Sequence, residues 1–253
     1  MRTYGKIPGL FLGLILTASL SAPSLSAQGR GQTVTPPAAA RKGPVPMELS
    51  SVTKHQARIG GQTLNYTATA ATSILRSDEG EPKATFFFVA YTKDGVSDPA
   101  ARPVSFVYNG GPGSASMFTH MGLGPKRVLL TDDGYGMPAP YAVVENGDSF
   151  LDATDLVFID AVGTGYSRPA PGENPAQFYG IVQDATVFAD FIYQYLNRNE
   201  RWASPKFLIG ESYGTTRSAQ LAGVLQQRHQ IYLNGVVLVS AVGFTSWGAD
   251  DRM

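Results

Sequence analysis

The sequence predicts an α/β sandwich, in which an antiparallel meander leads into βαβ units around a mostly parallel sheet. Three observations carry this. Two strand-like runs flank a glycine pair early in the chain, the signature of a hairpin. The later strand candidates are short apolar runs without alternation, as in strands buried on both faces. Between them lie segments with apolar residues three and four apart, the spacing of amphipathic helices.

In chain order, the first 27 residues have the layout of a secretory signal peptide. Arg2 and Lys6 give a basic start, residues 7–20 form an apolar run of 14, and small residues follow to Ala27. Fourteen residues are too few for a stable membrane span, so cleavage after Ser26 or Ala27 and a secreted or periplasmic protein without a membrane anchor are expected. Residues 28–50 open with a stretch rich in Pro, Ala, Gly and Thr and read as a flexible lead-in. Residues 51–253 read as one domain. Its first strands are residues 53–59 and 63–70, on either side of Gly60-Gly61, and residues 84–91 supply a third, with Phe86, Phe87, Phe88 and Val89. Residues 104–108, 156–159, 207–209 and 236–239 are the short apolar runs. Residues 181–197 place Ile181, Ala185, Phe188, Ile192 and Leu196 on one helical face; residues 213–228 do the same with Ala219, Ala222 and Leu225.

Composition narrows the function. The chain of 253 residues carries 20 basic and 20 acidic residues, and without Arg2 and Lys6 the balance is slightly negative, which argues against nucleic acid as a partner. There is no cysteine, so disulfides, thiolate metal sites and a cysteine nucleophile are excluded. No phosphate-binding loop, dinucleotide fingerprint or H-E-x-x-H pattern occurs, so neither a metal nor a cofactor is expected.

Two segments carry chemistry. Gly210-Glu211-Ser212-Tyr213-Gly214 is the one G-x-S-x-G in the chain. An apolar run precedes it and a helical pattern follows, the strand–turn–helix setting in which an α/β-hydrolase presents its nucleophile. The alternative is an ordinary turn in which Ser212 caps the helix. Upstream, Asn109-Gly110-Gly111-Pro112-Gly113-Ser114 follows the run 104–108. A glycine-rich loop after an early strand exposes amides able to bind an anion; in this fold it gives one oxyanion donor, and the residue after the nucleophile gives the other. Here those are the amides of Gly111 and Tyr213. The alternative for this segment is a plain glycine turn.

Three segments together resemble the serine carboxypeptidase family. Residues 109–116 are similar to its N-G-G-P-G-C-S-S, residues 158–167 to its D-Q-P-V-G-T-G-F-S, and residues 210–214 to its G-E-S-Y-A-G; order and rough spacing agree over residues 104–244. The resemblance implies an α/β-hydrolase sandwich with Ser212 as nucleophile and Gly111 and Tyr213 as oxyanion donors. It also implies that Asn109, the Gly110 backbone and Glu211 bind the free C-terminal carboxylate of a peptide substrate. Glu211 can do so only with a proton shared between the two carboxyl groups, because close carboxylates do not both stay ionised. Three departures stand out: Ser114 for the usual cysteine, Gly214-Thr215 for Ala-Gly, and Gly122 for a glutamate that pairs with the elbow glutamate in eukaryotic members.

The triad of this fold runs Ser, Asp, His along the chain. After Ser212 stand one histidine, His229, and two aspartates, Asp250 and Asp251. A helix of 17 residues puts His229 ~25 Å from the serine at 1.5 Å per residue. His55 and His120 precede the elbow, away from the family's base position. The expectation is therefore the nucleophile-bearing part of the fold, with the C-terminal strands and the triad Asp and His missing from this chain, an exposed sheet edge, and a second polypeptide or a missing C-terminal portion as partner. The competing expectations are an inactive fragment and an esterase or acyltransferase on the same scaffold.

Overall fold

The computed structural model describes residues 43, 44 and 46–242; the expected signal segment lies outside them. Three long strands open the fold: β1 (Ser50–Ile59), β2 (Gln62–Arg76) and β3 (Pro82–Lys93). They form the expected meander, with Ile59 opposite Gln62 across Gly60-Gly61. The hairpin runs further than the sequence pattern shows, because its outer residues alternate only weakly and eight of the ten residues of β1 are exposed.

After the meander come β4 (Val104–Tyr108), α1 (Met117–Leu123), the small ribbon of β5 (Lys126–Val128) and β6 (Val143–Glu145), and β7 (Asp155–Ile159). Then follow β8 (Arg168–Pro169), α2 (Ile181–Arg198), β9 (Lys206–Glu211), α3 (Tyr213–His229) and β10 (Gly235–Val239). The main sheet has the order β1-β2-β3-β7-β4-β9-β10, with β8 added beside β3. β7, β4, β9 and β10 are parallel, and β3 joins them antiparallel. A mostly parallel core with an antiparallel flank is the predicted architecture.

Each central strand feeds two cores. Val104, Phe106 and Tyr108 of β4 and Val157 and Ile159 of β7 face α2 and α3, while Val107, Leu156, Phe158 and Ile209 face the side closed by Ile59, Leu64, Tyr66 and Leu151. Every residue of β4 and β7 is buried, which is why both read as short runs without alternation, apolar but for Ser105 and Asp155. α2 brings Ala185, Phe188, Ile192 and Leu196 to the sheet, as expected, although Ile181 stays exposed. Phe188 meets Phe86 edge-on at 5.6 Å and Tyr108 at 5.3 Å. Burying one such side chain contributes roughly 2 kcal/mol.

Two expectations are corrected. The buried stripe of α3 is Tyr213, Arg217, Leu221 and Leu225, and Ala219 is exposed; the stripe is rotated because a buried arginine occupies one of its turns. Val236, Val237 and Leu238 of β10 are 41 to 47% exposed, since β10 lies at the end of the sheet order.

At the amino ends of the parallel strands, Asp155 is clamped between Arg102 and Arg201, each 2.7 Å from one of its oxygens. The Lys93 amide also donates to Asp155. This ion triad fixes the register of β3, β4 and β7 and so sets where their opposite ends emerge.

Candidate active site

The parallel register brings three sequence segments to one place. Val107 lies opposite both Phe158 and Ile209, and Tyr108 opposite Gly210. One step further along, Asn109, Asp160 and Glu211 leave the carboxyl ends of three adjacent strands, where open α/β sheets form their crevices.

The elbow is built as a strained turn. Ser212 has φ 55° and ψ −122°, and its side chain does not cap α3. The capping alternative therefore fails, because a capping serine has an extended backbone and accepts from the following amides. Holding a non-glycine residue in this region costs roughly 1–3 kcal/mol and persists only where the surroundings enforce it. Here the Ser212 amide donates to Val239 O at 2.9 Å, and the Thr215 amide and hydroxyl donate to Ser212 O at 2.9 and 2.7 Å. The turn is so tight that a methyl group on Gly210 would come within 2.6 Å of both the Gly214 carbonyl carbon and Ser218 Oγ.

The glycine loop lies directly against this elbow. A methyl group on Gly110 would overlap Glu211 O and Gly214 N, at 2.6 and 2.7 Å, as well as the Tyr213 nitrogen. The Gly111 amide donates to no group among the described residues, and Tyr213 opens a helix, whose first amides have no partner within it. Beside Gly110, Asn109 Nδ2 donates to Glu211 Oε2 at 2.9 Å. The six candidate residues, Asn109, Gly110, Gly111, Glu211, Ser212 and Tyr213, thus form one cluster.

Several anchors of the cluster escaped the sequence reading. The Thr119 amide and hydroxyl both donate to Asn109 Oδ1 at 3.0 Å. That fixes the amide orientation, so Nδ2 must face Glu211. The Asp160 carboxylate accepts from the Ser116 amide at 2.8 Å and from the Tyr166 amide at 3.4 Å. The Ser116 hydroxyl donates to Ile159 O in a very short bond and accepts from the Asn109 amide at 3.3 Å. Ser167 Oγ donates to Asp160 O and accepts from the Phe87 amide, both at 2.8 Å. Asp160 and Ser167 stand in the second matching segment, so their presence was legible; their partners were not. Thr119 sits on α1, a helix too short to show a period.

The histidines are engaged elsewhere. His55 Nε2 bonds Thr53 Oγ1 at 2.7 Å, and the ring stacks on Tyr66. His120 Nε2 bonds the Tyr91 hydroxyl at 2.7 Å, and its ring stacks on Phe158 at 4.5 Å. Burial holds His120 down at about 4. His229 bonds Asp190 at 2.8 Å and stacks on Tyr193, at the far end of an unbroken α3.

The chain is similar in sequence and in fold to serine carboxypeptidases. Residues 66–243 match the family model described as serine carboxypeptidase. The Arabidopsis thaliana protein serine carboxypeptidase-like 46 is 25% identical over 179 residues, covering 65% of this chain and 34% of the relative. Serine carboxypeptidase-like 33 of the same plant is 29% identical over 161 residues, covering 58% of this chain and 29% of the relative. Among solved structures, Kex1(delta)p, a prohormone-processing carboxypeptidase from Saccharomyces cerevisiae, superposes with a TM-score of 0.55 at 25% identity, over 70% of this chain and 39% of that one. The chain spans about a third of the length of the curated relatives it matches.

Proposed function

The chain belongs to the serine carboxypeptidase family, and from that premise we propose that it is the nucleophile-bearing part of a serine-type carboxypeptidase, releasing C-terminal residues from peptides through an acyl-enzyme on Ser212. The observation that carries this is the strained, uncapped Ser212 with the Gly110-Gly111 backbone packed against its elbow.

The chemistry follows from the arrangement. Ser212 Oγ attacks the scissile carbonyl, and charge develops on the carbonyl oxygen. The Gly111 and Tyr213 amides donate to that oxyanion, and the positive end of the 17-residue α3 helix favours it. One such donor is worth about 3 kcal/mol of transition-state stabilisation. Asn109 Nδ2, held toward Glu211 by Thr119, donates to the substrate's terminal carboxylate together with the Gly110 amide, while Glu211 shares a proton with it. The acid and base of the triad we assign to polypeptide outside residues 1–253, in keeping with the engagement of all three histidines and the one-third coverage of the relatives. The same engagement favours a second reading, a form that binds peptides without turning them over.

The layout of residues 1–27 supports secretion or export to the periplasm. Among the described residues no helix is long and apolar enough to cross a membrane.

A fluorophosphonate probe and a set of blocked dipeptides test the proposal. In a form completed by the polypeptide that supplies the acid and base, labelling that disappears in Ser212→Ala, with free-acid dipeptides cleaved faster than their C-terminal amides, is the expected result. Labelling unchanged in Ser212→Ala would overturn it. A completed form that binds blocked dipeptides without labelling would establish the second reading.

A further inference from the structure

Arg217 is the largest fully buried side chain described, with that side chain 2% exposed. Removing a charge from water costs several kcal/mol unless partners compensate, so its surroundings need a reason. Its Nε donates to Asp184 Oδ2 at 2.7 Å, and a second nitrogen donates to the main-chain carbonyl of Asn109 at 2.7 Å. Its plane lies against the rings of Phe188, Tyr108 and Tyr213, 4.5, 5.2 and 5.3 Å from their centres. Asp184 lies in the first turn of α2. Burial pushes the Asp184 carboxyl up, against the opposing pull of Arg217 and of the Tyr213 hydroxyl.

Both halves of the oxyanion site therefore converge on this pair. The Asn109 carbonyl belongs to the peptide that leads into Gly110 and Gly111, residues with no side chains of their own to hold them in place. Tyr213 supplies the other amide, and its ring lies against the guanidinium, its centre 5.3 Å from the guanidinium carbon. A neighbouring bridge repeats the pattern: the Tyr108 hydroxyl donates to Ser218 Oγ, which donates to Gly214 O, both at 2.8 Å.

We propose that Arg217, set by Asp184, is a positioning residue that locks the Asn109–Gly111 backbone to the Tyr213 elbow, so that two amides contributed from segments about a hundred residues apart point at one spot. This rests on the serine-peptidase reading of Ser212. The pair touches no substrate; it acts through the peptide planes. Arginine suits the task because one flat fork can bond a carboxylate and a carbonyl in fixed relative directions while stacking on rings, which a lysine cannot do.

The test uses the full chain with Arg217→Lys and the double variant Arg217→Met with Asp184→Asn, which removes both charges and leaves none buried alone. Circular dichroism and melting establish that each variant is folded. The first readout is the backbone 15N order parameter of Gly110 and Gly111, with core amides of α2 as reference. In the folded double variant these two should fall from the rigid value of about 0.85 to below about 0.6 while α2 keeps its value. The second readout is turnover of blocked dipeptides wherever the parent chain shows it: kcat should fall about 100-fold, the scale of losing one oxyanion donor, with KM nearly unchanged and Arg217→Lys recovering part of the loss. Unchanged order at Gly110 and Gly111 in the folded double variant, or a loss confined to KM, would overturn the inference. Full turnover in Ser212→Ala would instead defeat the peptidase reading, and that variant leaves the Arg217 network untouched.

Discussion

Replacing His120 by Gln should remove a pH dependence of stability that originates beside the site. Burial holds the His120 ring at about 4 against an ordinary 6.5. The rings that enclose it, Tyr91 and Phe158, carry no charge, and burial pushes the Tyr91 hydroxyl itself up to about 12. Below pH 6.5 the unfolded chain takes up a proton that the folded chain refuses. Stability is therefore intact above the ordinary histidine value and is lost as the pH falls toward 4. The loss should be about 2 kcal/mol between pH 7 and pH 5, approaching about 3 kcal/mol below pH 4. Urea denaturation of the wild type and of His120→Gln at pH 7, 6 and 5 isolates the contribution, because other titrating groups cancel in the difference. The wild type's advantage over the variant should shrink by about 2 kcal/mol from pH 7 to pH 5. Parallel curves would refute the reasoning, meaning that water in the adjoining cavity of about 490 Å³, which His120 lines with Phe87, Val89 and Met117, hydrates the ring and lets it charge near its ordinary value. His120 follows Thr119, the residue that orients Asn109, on α1.

Ser212→Gly should abolish fluorophosphonate labelling and raise stability by about 1 kcal/mol, because glycine adopts φ 55° and ψ −122° without the strain that serine bears; a less stable glycine variant would show that the elbow is not strained. Gly210→Ala should lose labelling and about 1–3 kcal/mol of stability, since the new methyl group meets Gly214 backbone that cannot retreat; the readouts are labelling rate and the urea midpoint. Asp155→Ala should cost about 3–5 kcal/mol by leaving Arg102 and Arg201 buried without their shared partner. Labelling per folded molecule should stay at the parent rate in that variant, because the triad sits at the opposite ends of the strands.

What the sequence made legible follows from the range of the interaction concerned. β4 and β7 could be read because every residue is buried, which leaves a short, mainly apolar run without alternation. α2 could be read because its apolar residues keep the helical period. The elbow could be read because its turn needs glycines within two residues of the serine. On α3 the sequence pattern finds Leu225 but not the rest of the buried stripe, because Arg217, a residue that normally marks the solvent side, lies in it. α1 left no trace, being a single short helix of seven residues with a glycine near its end. The anchors of the site were hidden for a different reason. Thr119, Asp160, Asp184 and Arg217 matter through partners that are 10, 44, 33 and 108 residues away, and local patterns carry no record of such pairings.

These long-range bonds also explain why three short segments, rather than the sheet as a whole, carry the resemblance. Apolar residues of similar size can exchange in β4 or β7 at modest cost if volume and pattern are kept. The segments at the strand ends have no such freedom. Ser116 in the first is bonded to Asp160 and Ile159 in the second, and Asn109 in the first is bonded to Glu211 in the third. A change at any of these positions leaves a polar partner unsatisfied in a segment where Asn109, Ser116 and Asp160 are all buried, at about 1–3 kcal/mol for each orphaned group. Gly110 is equally constrained, by backbone on the facing side. The motifs are thus the three faces of one hydrogen-bonded object. A substitution in any one of them should disturb fluorophosphonate labelling at Ser212 even where it lies far from the serine in sequence. Asp160→Asn is the sharpest case: it keeps the side chain's shape but turns one acceptor into a donor facing the Ser116 or Tyr166 amide. Labelling in that variant at the parent rate would show that the second segment only packs beside the site and does not hold it.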